Sequence, residues 1–250
     1  LQDKADLTIR QLAFQVRDNM EPAQAVVESV ADAIERGTIL RDEPTHFRHF
    51  LEGALSGVPQ ISIVAFIGAD LRGYAAQRSD GKLATQAVNF ARDQQVAQNL
   101  KTVGDLRRTT WVGPVWRPQI KSTVLVARRG VYRDGKLIGV VVALVRIREL
   151  SSYLEKSTAD TNVHAFILLD RWRVLAHPEL VNGVPGREWR PTPALAELHD
   201  PVMRNLWNPA FSEKPMVAAR PPLENRLVNA DGVTYVVFYK KIPGYSTGQW

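Results

Sequence analysis

The segment of residues 122–156 constrains the fold most, because it combines two strand-like runs, a turn and the start of a helix. Runs rich in valine and leucine at 124–126 and 137–147 flank the sequence Arg-Asp-Gly-Lys at 133–136. β-Branched residues favour a pleated surface, and glycine accepts the positive φ of a tight hairpin turn. The second run is apolar at nearly every position, which predicts a central strand covered on both faces. Residues 148–156 then change to helical spacing.

A long helix is predicted at the start of the chain, over residues 7–36. Its apolar residues recur at three- and four-residue steps: Leu12, Val16, Met20, Ala23, Val27, Val30 and Ile34. Gly37 ends the pattern. Pro22 predicts a kink near Asn19, with two separate helices as the alternative. One long helix would expose Leu12, Val16 and Met20, and such a stripe favours contact with the same helix of a second copy.

The rest of the chain alternates short helices and strands. The predicted elements are a helix at 45–55, strands at 60–68 and 74–78, a helix at 83–100, a loop at 110–121, a link at 157–161, a hairpin at 162–170 and 172–177, a helix at 193–205, and strands at 224–228 and 233–240. The helix at 83–100 is expected to cover the first sheet. The segment 110–121 is too rich in proline for a central strand.

Two of these segments resemble a known family. VYRDGKLIGVVVALVRIRELSSYL, at 131–154, is similar to the last hairpin of the membrane-distal module in double Cache domains. AFILLDRWRVLAHPEL, at 165–180, resembles the opening hairpin of the membrane-proximal module. The resemblance implies an α+β fold, with a long N-terminal helix followed by two PAS-like (Cache) modules, each an antiparallel sheet flanked by helices.

The resemblance also implies an organisation and a function. Residues 1–58 would form the two first helices, 59–156 the distal module, and 157–250 the proximal module with a truncated last strand. Such a chain is the extracytoplasmic, periplasmic ligand-sensing part of an inner-membrane receptor, with transmembrane helices outside it and a homodimer formed through the N-terminal helix. Segments 14–34 and 53–67 are most similar to sensors of class III adenylate or guanylate cyclases. Chemoreceptors and histidine kinases are the alternatives, as is a free-standing solute-binding protein, which would lack the exposed helix stripe.

Composition and motifs exclude several function classes. The 250 residues include no cysteine, which excludes disulfides, thiolate catalysis and cysteine-ligated metals. The net charge of +6 is dispersed, which favours a solvated basic surface over a nucleic-acid site. No GxSxG, Walker, GxGxxG or HExxH motif occurs, so the chain is predicted to have no catalytic residues, cofactor or metal. His46 and His49 are interpreted as helix-surface residues, and His177 as a structural histidine without a Ser, Cys or Asp partner.

The predicted ligand site draws first on the segment 110–121. Trp111 and Trp116 offer flat apolar walls, and Arg117 can hold a carboxylate or phosphate through two parallel hydrogen bonds, with Lys121 as a second cation. The alternative is a proline-braced loop whose tryptophans fill the distal core and whose cations face water. Tyr74, on the second strand, is a further predicted lining residue.

The strand at 140–147 supplies the other predicted lining residues. Two-residue alternation puts Val142, Leu144 and Arg146 on one face. In double Cache domains that bind amino acids, an aspartate on this strand receives the ligand amine, and the resemblance places Leu144 at that position. Their Arg-x-Trp-Tyr cluster is absent, and Trp116-Arg117 stands near their Tyr-x-Asp. Replacing an acid by a base inverts the favoured ligand charge, so the predicted ligand is an anionic or neutral small molecule, or none.

Overall fold

The computed structural model describes residues 2–79, 81–101, 107–159, 163–182, 190–215, 219, 221 and 223–242. The chain forms two compact units. The six-stranded unit comprises Asp18–Val115 and Val124–Arg146. The split-sheet unit comprises Leu1–Arg17, Trp116–Thr123 and Ile147–Trp250. Each unit is therefore assembled from segments that are not consecutive in the chain. The division at residues 58 and 156 remains a prediction.

The first helix, α1, runs without interruption from Gln2 to Glu35 and contains Pro22. The prediction of one long helix is confirmed, and the alternative of two helices is wrong. Val16 and Met20 are buried within the chain, so the prediction that they form an exposed stripe is wrong. Their spacing is that of a core-facing side, and they pack into the protein's own interior.

The six-stranded unit contains α2 (Pro44–Ser56), which confirms the predicted short helix. Its strands are β1 (Ile61–Gly68), β2 (Arg72–Ser79), β3 (Lys82–Asn89), β4 (Thr110–Arg117), β5 (Ser122–Arg133) and β6 (Lys136–Arg146). They form one sheet in the order β3-β2-β1-β6-β5-β4, and every pairing from β3 to β5 is antiparallel. The apolar strand β6 is central, as predicted. Asp134 and Gly135 both have positive φ, which confirms the hairpin turn.

Two predicted elements of this unit are wrong. The predicted helix at 83–100 is β3 followed by α3 (Gln94–Lys101), because residues 82–89 pair with β2 along their whole length. The Asp93 carboxylate accepts the Val96 backbone N–H, so the helix begins only there. The predicted loop at 110–121 is strand β4 followed by a 3₁₀ turn at Pro118–Ile120. Proline is tolerated in β4 because it lies at the edge of the sheet.

The split-sheet unit contains the remaining elements. They are α4 (Ile147–Thr158), β7 (Ile167–Leu168), β8 (Val174–Ala176), α5 (Pro201–Asn205), β9 (Ser212–Glu213), β10 (Glu224–Ala230) and β11 (Val233–Tyr239). β7 and β8 form a two-stranded sheet, and β11, β10 and β9 form a three-stranded one. Both predicted hairpins and the helix at 148–156 are confirmed. The predicted helix at 193–205 is wrong: Pro201 and the Asp200 carboxylate, which caps two backbone N–H groups, start a new helix after a 3₁₀ turn.

The α+β architecture predicted from the sequence is confirmed: a long N-terminal helix precedes antiparallel sheets flanked by helices. Part of the predicted link at 157–161 lies outside the described residues, as do residues 243–250 at the end of the chain, where a truncated last strand was expected.

Candidate ligand-binding site

The six-stranded sheet has two faces, and α1 and α2 pack on one of them. Strand register places Tyr74, Phe66, Val141 and Arg129 in one row across four strands. The Phe47 ring of α2 lies 5.7 Å from the Phe66 ring and 5.4 Å from the Tyr74 ring, measured between centroids. We call this side the helix face.

The opposite side, which we call the Leu144 face, consists of the alternate residues of the same strands. Its two central rows across β2, β1, β6 and β5 are Ala75, Ala65, Val142 and Arg128, and then Gln77, Ile63, Leu144 and Val126. Arg146, opposite Val124, continues this face beyond the second row. The register thus puts Val142, Leu144 and Arg146 on one side, as strand alternation predicted.

The two faces differ in how completely they are covered. On the helix face, Val64, Ala76 and Val141 are 0% exposed. On the Leu144 face, Leu144 and Ala75 keep 8% and 9% exposure, and Ile63 and Val142 are only half-buried. The Leu144 face is therefore a mostly apolar surface that remains partly accessible, which is the general character of a small-molecule site.

Arg128 is the distinctive residue of the Leu144 face. Its side chain is half-buried, its Nε is inaccessible to solvent and lacks a hydrogen bond, and no ion pair joins it to another described residue. Burial lowers the pKa of the Arg128 guanidinium, because desolvation disfavours the charged form. Arginine nevertheless stays protonated in proteins. Arg128 is thus a desolvated cation suited to an anionic partner.

The charge of the whole sheet also favours an anionic ligand. The six strands, all of whose residues are described, contain arginine and lysine but no aspartate or glutamate. A carboxylate that could receive a ligand amine is therefore missing from the strands of both faces. The sequence indicated a missing carboxylate only at Leu144, and the structure shows that the carboxylate is missing from every strand of the sheet.

Arg129, the next residue of β5, projects to the helix face and binds α1. Its guanidinium lies 2.7 Å from an Asp32 carboxylate oxygen and 3.1 Å from a Glu35 oxygen. The other Glu35 oxygen accepts the Tyr132 backbone N–H at 2.9 Å. β5 therefore presents an unpaired arginine on one face and an arginine bound to the long helix on the other.

An aromatic side chain borders the Leu144 face near the β5–β6 turn. A Cβ atom built on Gly130 would lie 2.8 Å from the Tyr132 ring, so the ring lies directly over this glycine. The Arg107 guanidinium is 4.9 Å from the ring centroid, a cation–π distance. Neither Arg128 nor Tyr132 was predicted from the sequence as a site residue. The predicted strand covered only residues 124–126, whereas β5 continues through Arg128 and Arg129, which as adjacent strand residues face opposite sides.

The structure does not bring all the predicted site residues together. Tyr74 lies on the helix face, with Arg48 5.4 Å above its ring, and so faces away from Val142 and Leu144. Its register with Phe66 sets this orientation. The role of Tyr74 as a lining residue remains a prediction. Trp111 is buried on β4. The boundary between the two units falls within β4, after Val115, so Trp116 and Arg117 at the end of this strand and Lys121 beyond it are assigned to the split-sheet unit. A role for these four residues in ligand binding remains a prediction.

His177 is buried in the split-sheet unit and has partners at both ring nitrogens. Nδ1 accepts the Glu179 backbone N–H at 3.2 Å, which assigns the proton to Nε2, 3.1 Å from an Asp200 carboxylate oxygen. The expectation that no aspartate is placed beside His177 is therefore wrong. Burial raises the pKa of Asp200, but hydrogen bonds from His177 and from the backbone of α5 outweigh it, so the pKa is lowered. With both nitrogens engaged, the interpretation of His177 as a structural histidine is supported.

A groove of about 1730 Å³ lies in the split-sheet unit, between the start of α1 and the strands β7 and β11. Among the described residues, β7 pairs only with β8 and β11 only with β10. The groove therefore runs along two strand edges whose backbone groups favour pairing with a further strand. These edges are better suited to a peptide strand than to a small molecule. We therefore place the candidate ligand site on the Leu144 face, where the charged side chain of Arg128 lacks a partner among the described residues.

Two other kinds of site are not found in the part of the chain that the structure describes. No three histidine, aspartate or glutamate side chains lie close enough to hold a metal ion, and His46 instead lies 3.3 Å from Glu43. No helix there combines the length and the apolar character that crossing a bilayer requires.

The fold is similar to those of several solved sensor domains. The ligand-binding domain of the amino acid chemoreceptor PctC of Pseudomonas aeruginosa PAO1, in complex with GABA, matches 100% of this chain and 96% of its own, with a TM-score of 0.62 and 16% identity. That of Pseudomonas fluorescens CtaA with L-serine gives the same coverages and identity and a TM-score of 0.61. That of Campylobacter jejuni Tlp3 with L-valine covers 94% of each chain, with a TM-score of 0.53 and 14% identity. The sequence matches no protein-family profile and no curated protein.

These likenesses establish that the chain has the fold of chemoreceptor ligand-binding domains. That this chain has no enzymatic activity remains a prediction from its sequence.

Proposed function

We propose that this chain is the extracytoplasmic ligand-sensing domain of a membrane receptor and that the Leu144 face is its ligand site. The observation that carries the proposal is Arg128, a half-buried cation without a described partner on a partly accessible apolar surface. In a purely structural sheet such a residue costs stability, because its desolvation is not offset by a counter-charge. A ligand that supplied the counter-charge would offset that cost and bind tightly.

The receptor output that fits best is that of a chemoreceptor. The sequence segments favoured a nucleotide cyclase, but the solved domains with this fold named above all belong to chemoreceptors. A hybrid receptor with this chain in place of the PctC sensor domain should change the swimming bias of its host when ligand is added. A cyclase hybrid that responded while the chemoreceptor hybrid did not would restore the first interpretation.

We infer that the ligand bears an anionic group. PctC, CtaA and Tlp3 were solved with GABA, L-serine and L-valine, each of which has a carboxylate that a cationic side chain can bind. In this chain Arg128 can supply that interaction. Other predicted contributors are Trp111, Trp116, Arg117, Lys121 and Arg146. The variant Arg117→Ala tests the segment 110–121, because a ligand bound there should no longer raise the melting temperature of this variant.

Signal transfer from this site would follow strand β5. A ligand on Arg128 acts on the strand that holds Asp32 and Glu35 of α1 through Arg129. Binding can shift an equilibrium between two receptor states only if the ligand interacts differently with each. Adjacent residues on opposite faces give β5 a direct way to couple ligand contact to the position of α1.

A thermal-shift screen tests the sensing function. Small metabolites of all charge types are added to the folded protein, and at least one is expected to raise its melting temperature in a concentration-dependent way. The shift should vanish in Arg128→Gln and persist in Arg72→Gln, which loses the same charge from an exposed side chain on the helix-face side of β2. A broad screen without a stabilising ligand would contradict the sensing function.

We also propose a homodimer through α1, on different residues from those predicted. Leu7 and Phe14 are each 67% exposed and lie seven residues apart, so they fall on one side of the helix. Sedimentation velocity should show a dimer that Leu7→Asn with Phe14→Asn weakens. A wild-type protein that stays monomeric at high concentration would contradict this assembly and favour a free-standing binding protein.

A further inference from the structure

We propose that the Leu144 face selects carboxylates that lack an amino group, with Arg128 as the anchoring residue. This inference rests on the proposed sensing function and assigns its ligand class. The solved relatives were crystallised with ligands that contain an amine, so the proposal separates this chain from them.

Arg128 can bind the carboxylate of a ligand. A guanidinium presents donors in a planar fork that matches the two oxygens of a carboxylate. Arg128 lies directly across from Val142 on β6, and Val126 and Leu144 form the next row. A carboxylate on Arg128 would therefore have its carbon chain over apolar side chains, which favours a hydrophobic ligand body over a polar one.

The Leu144 face has no acidic strand residue that can bind the amine of a ligand. An ammonium group held next to this surface would lose water without gaining an anionic partner from the strands, and it would lie close to the Arg128 charge. Two acids that follow strands of this sheet are engaged elsewhere: Asp70, after β1, binds Arg41 at 2.8 Å, and Asp93, after β3, caps α3. Gln77, the polar residue of the Leu144 row, is a neutral amide that can bond a hydroxyl or a second carboxyl group without requiring a positive charge.

The experiment compares three pairs of probes that differ only by the α-amino group: propionate and alanine, succinate and aspartate, and 3-phenylpropionate and phenylalanine. Each is titrated calorimetrically into the 250-residue chain, and circular dichroism verifies that every variant is folded. At least one amine-free acid should bind, and its α-amino counterpart should bind about tenfold more weakly or worse, since an unpaired buried charge is costly.

The variants locate the site. Arg128→Gln should weaken binding of the amine-free acid about tenfold to a hundredfold, as expected for loss of charge-assisted hydrogen bonds. Arg128→Lys should bind the amine-free acid more tightly than Arg128→Gln but less tightly than the wild-type protein, because lysine keeps the positive charge but lacks the planar guanidinium that binds both carboxylate oxygens. Arg72→Gln should leave the affinity unchanged.

Three results would overturn the inference. If an amino acid binds as well as or better than its amine-free counterpart, the ligand class is wrong while the sensing function stands. If an amine-free acid binds equally to Arg128→Gln, the anchor is wrong. If none of the six probes binds the folded protein, the class is wrong, and the broader thermal-shift screen separately decides the sensing function.

Discussion

The two faces of the six-stranded sheet are built from the same strands and yet differ in chemistry. The helix face has a fully buried apolar centre, and its arginine, Arg129, binds two acids of α1. The Leu144 face is mostly apolar and partly accessible, and its arginine, Arg128, has no partner among the described residues. One residue step along β5 therefore separates a structural contact, at Arg129, from a candidate binding contact, at Arg128.

Substituting one leucine on each face by alanine should give the largest changes in the free energy of unfolding. Leu125 of β5 belongs to the helix face and is 1% exposed, whereas Leu144 is 8% exposed on the other face. Leu125→Ala should lower the free energy of unfolding by about 3 to 4 kcal/mol, and Leu144→Ala by about 2 kcal/mol, because the cavity left at Leu125 is fully enclosed. Urea denaturation measures both. Equal losses would show that the two faces are packed alike.

The arginine on the helix face gives the next largest effect. Arg129→Gln should cost about 2 kcal/mol, since it leaves Asp32 and Glu35 close together without their shared cation. The value lies between those for buried and for exposed ion pairs because Asp32 remains partly exposed. A cost below about 0.5 kcal/mol in the same urea experiment would mean that this contact does not hold α1 to β5.

The smallest effect on stability is expected at Arg128. Without ligand, Arg128→Gln should change the free energy of unfolding by less than about 0.5 kcal/mol, or raise it slightly, because the substitution removes an unpaired, partly desolvated charge. A loss as large as that of Arg129→Gln would reveal a structural partner for Arg128. The face comparison would then no longer indicate a ligand site.

Local sequence signals predicted the elements that depend on local chemistry. The β5–β6 hairpin follows from its β-branched runs and the Asp134-Gly135 turn, and α1 follows from its apolar periodicity and Gly37. Residues 83–100 were misread because alanine and glutamine suit a helix, whereas pairing with β2 makes residues 82–89 a strand. The start of α5 was visible as Asp200-Pro201, a capping residue followed by proline at the first helical position.

The site was only partly predictable from the sequence, because the side of the sheet on which a side chain lies depends on strands and helices that are distant in sequence. Alternation alone put Val142 and Leu144 on one side, but the side of Tyr74 is fixed by its register with Phe66. The sequence alone does not distinguish the roles of Arg128 and Arg129. Only the position of α1, which lies about a hundred residues earlier, decides that Arg129 is paired and Arg128 is not.

The most direct test of the binding claim is an NMR titration that follows the arginine Nε–H signals, with Arg128 and Arg129 assigned from their Gln variants. With the tightest-binding amine-free carboxylate, the Arg128 Nε–H signal should move and saturate as the site fills, while the Arg129 signal moves much less. A ligand that saturates the protein without moving the Arg128 signal would contradict the assignment of the Leu144 face as the ligand site.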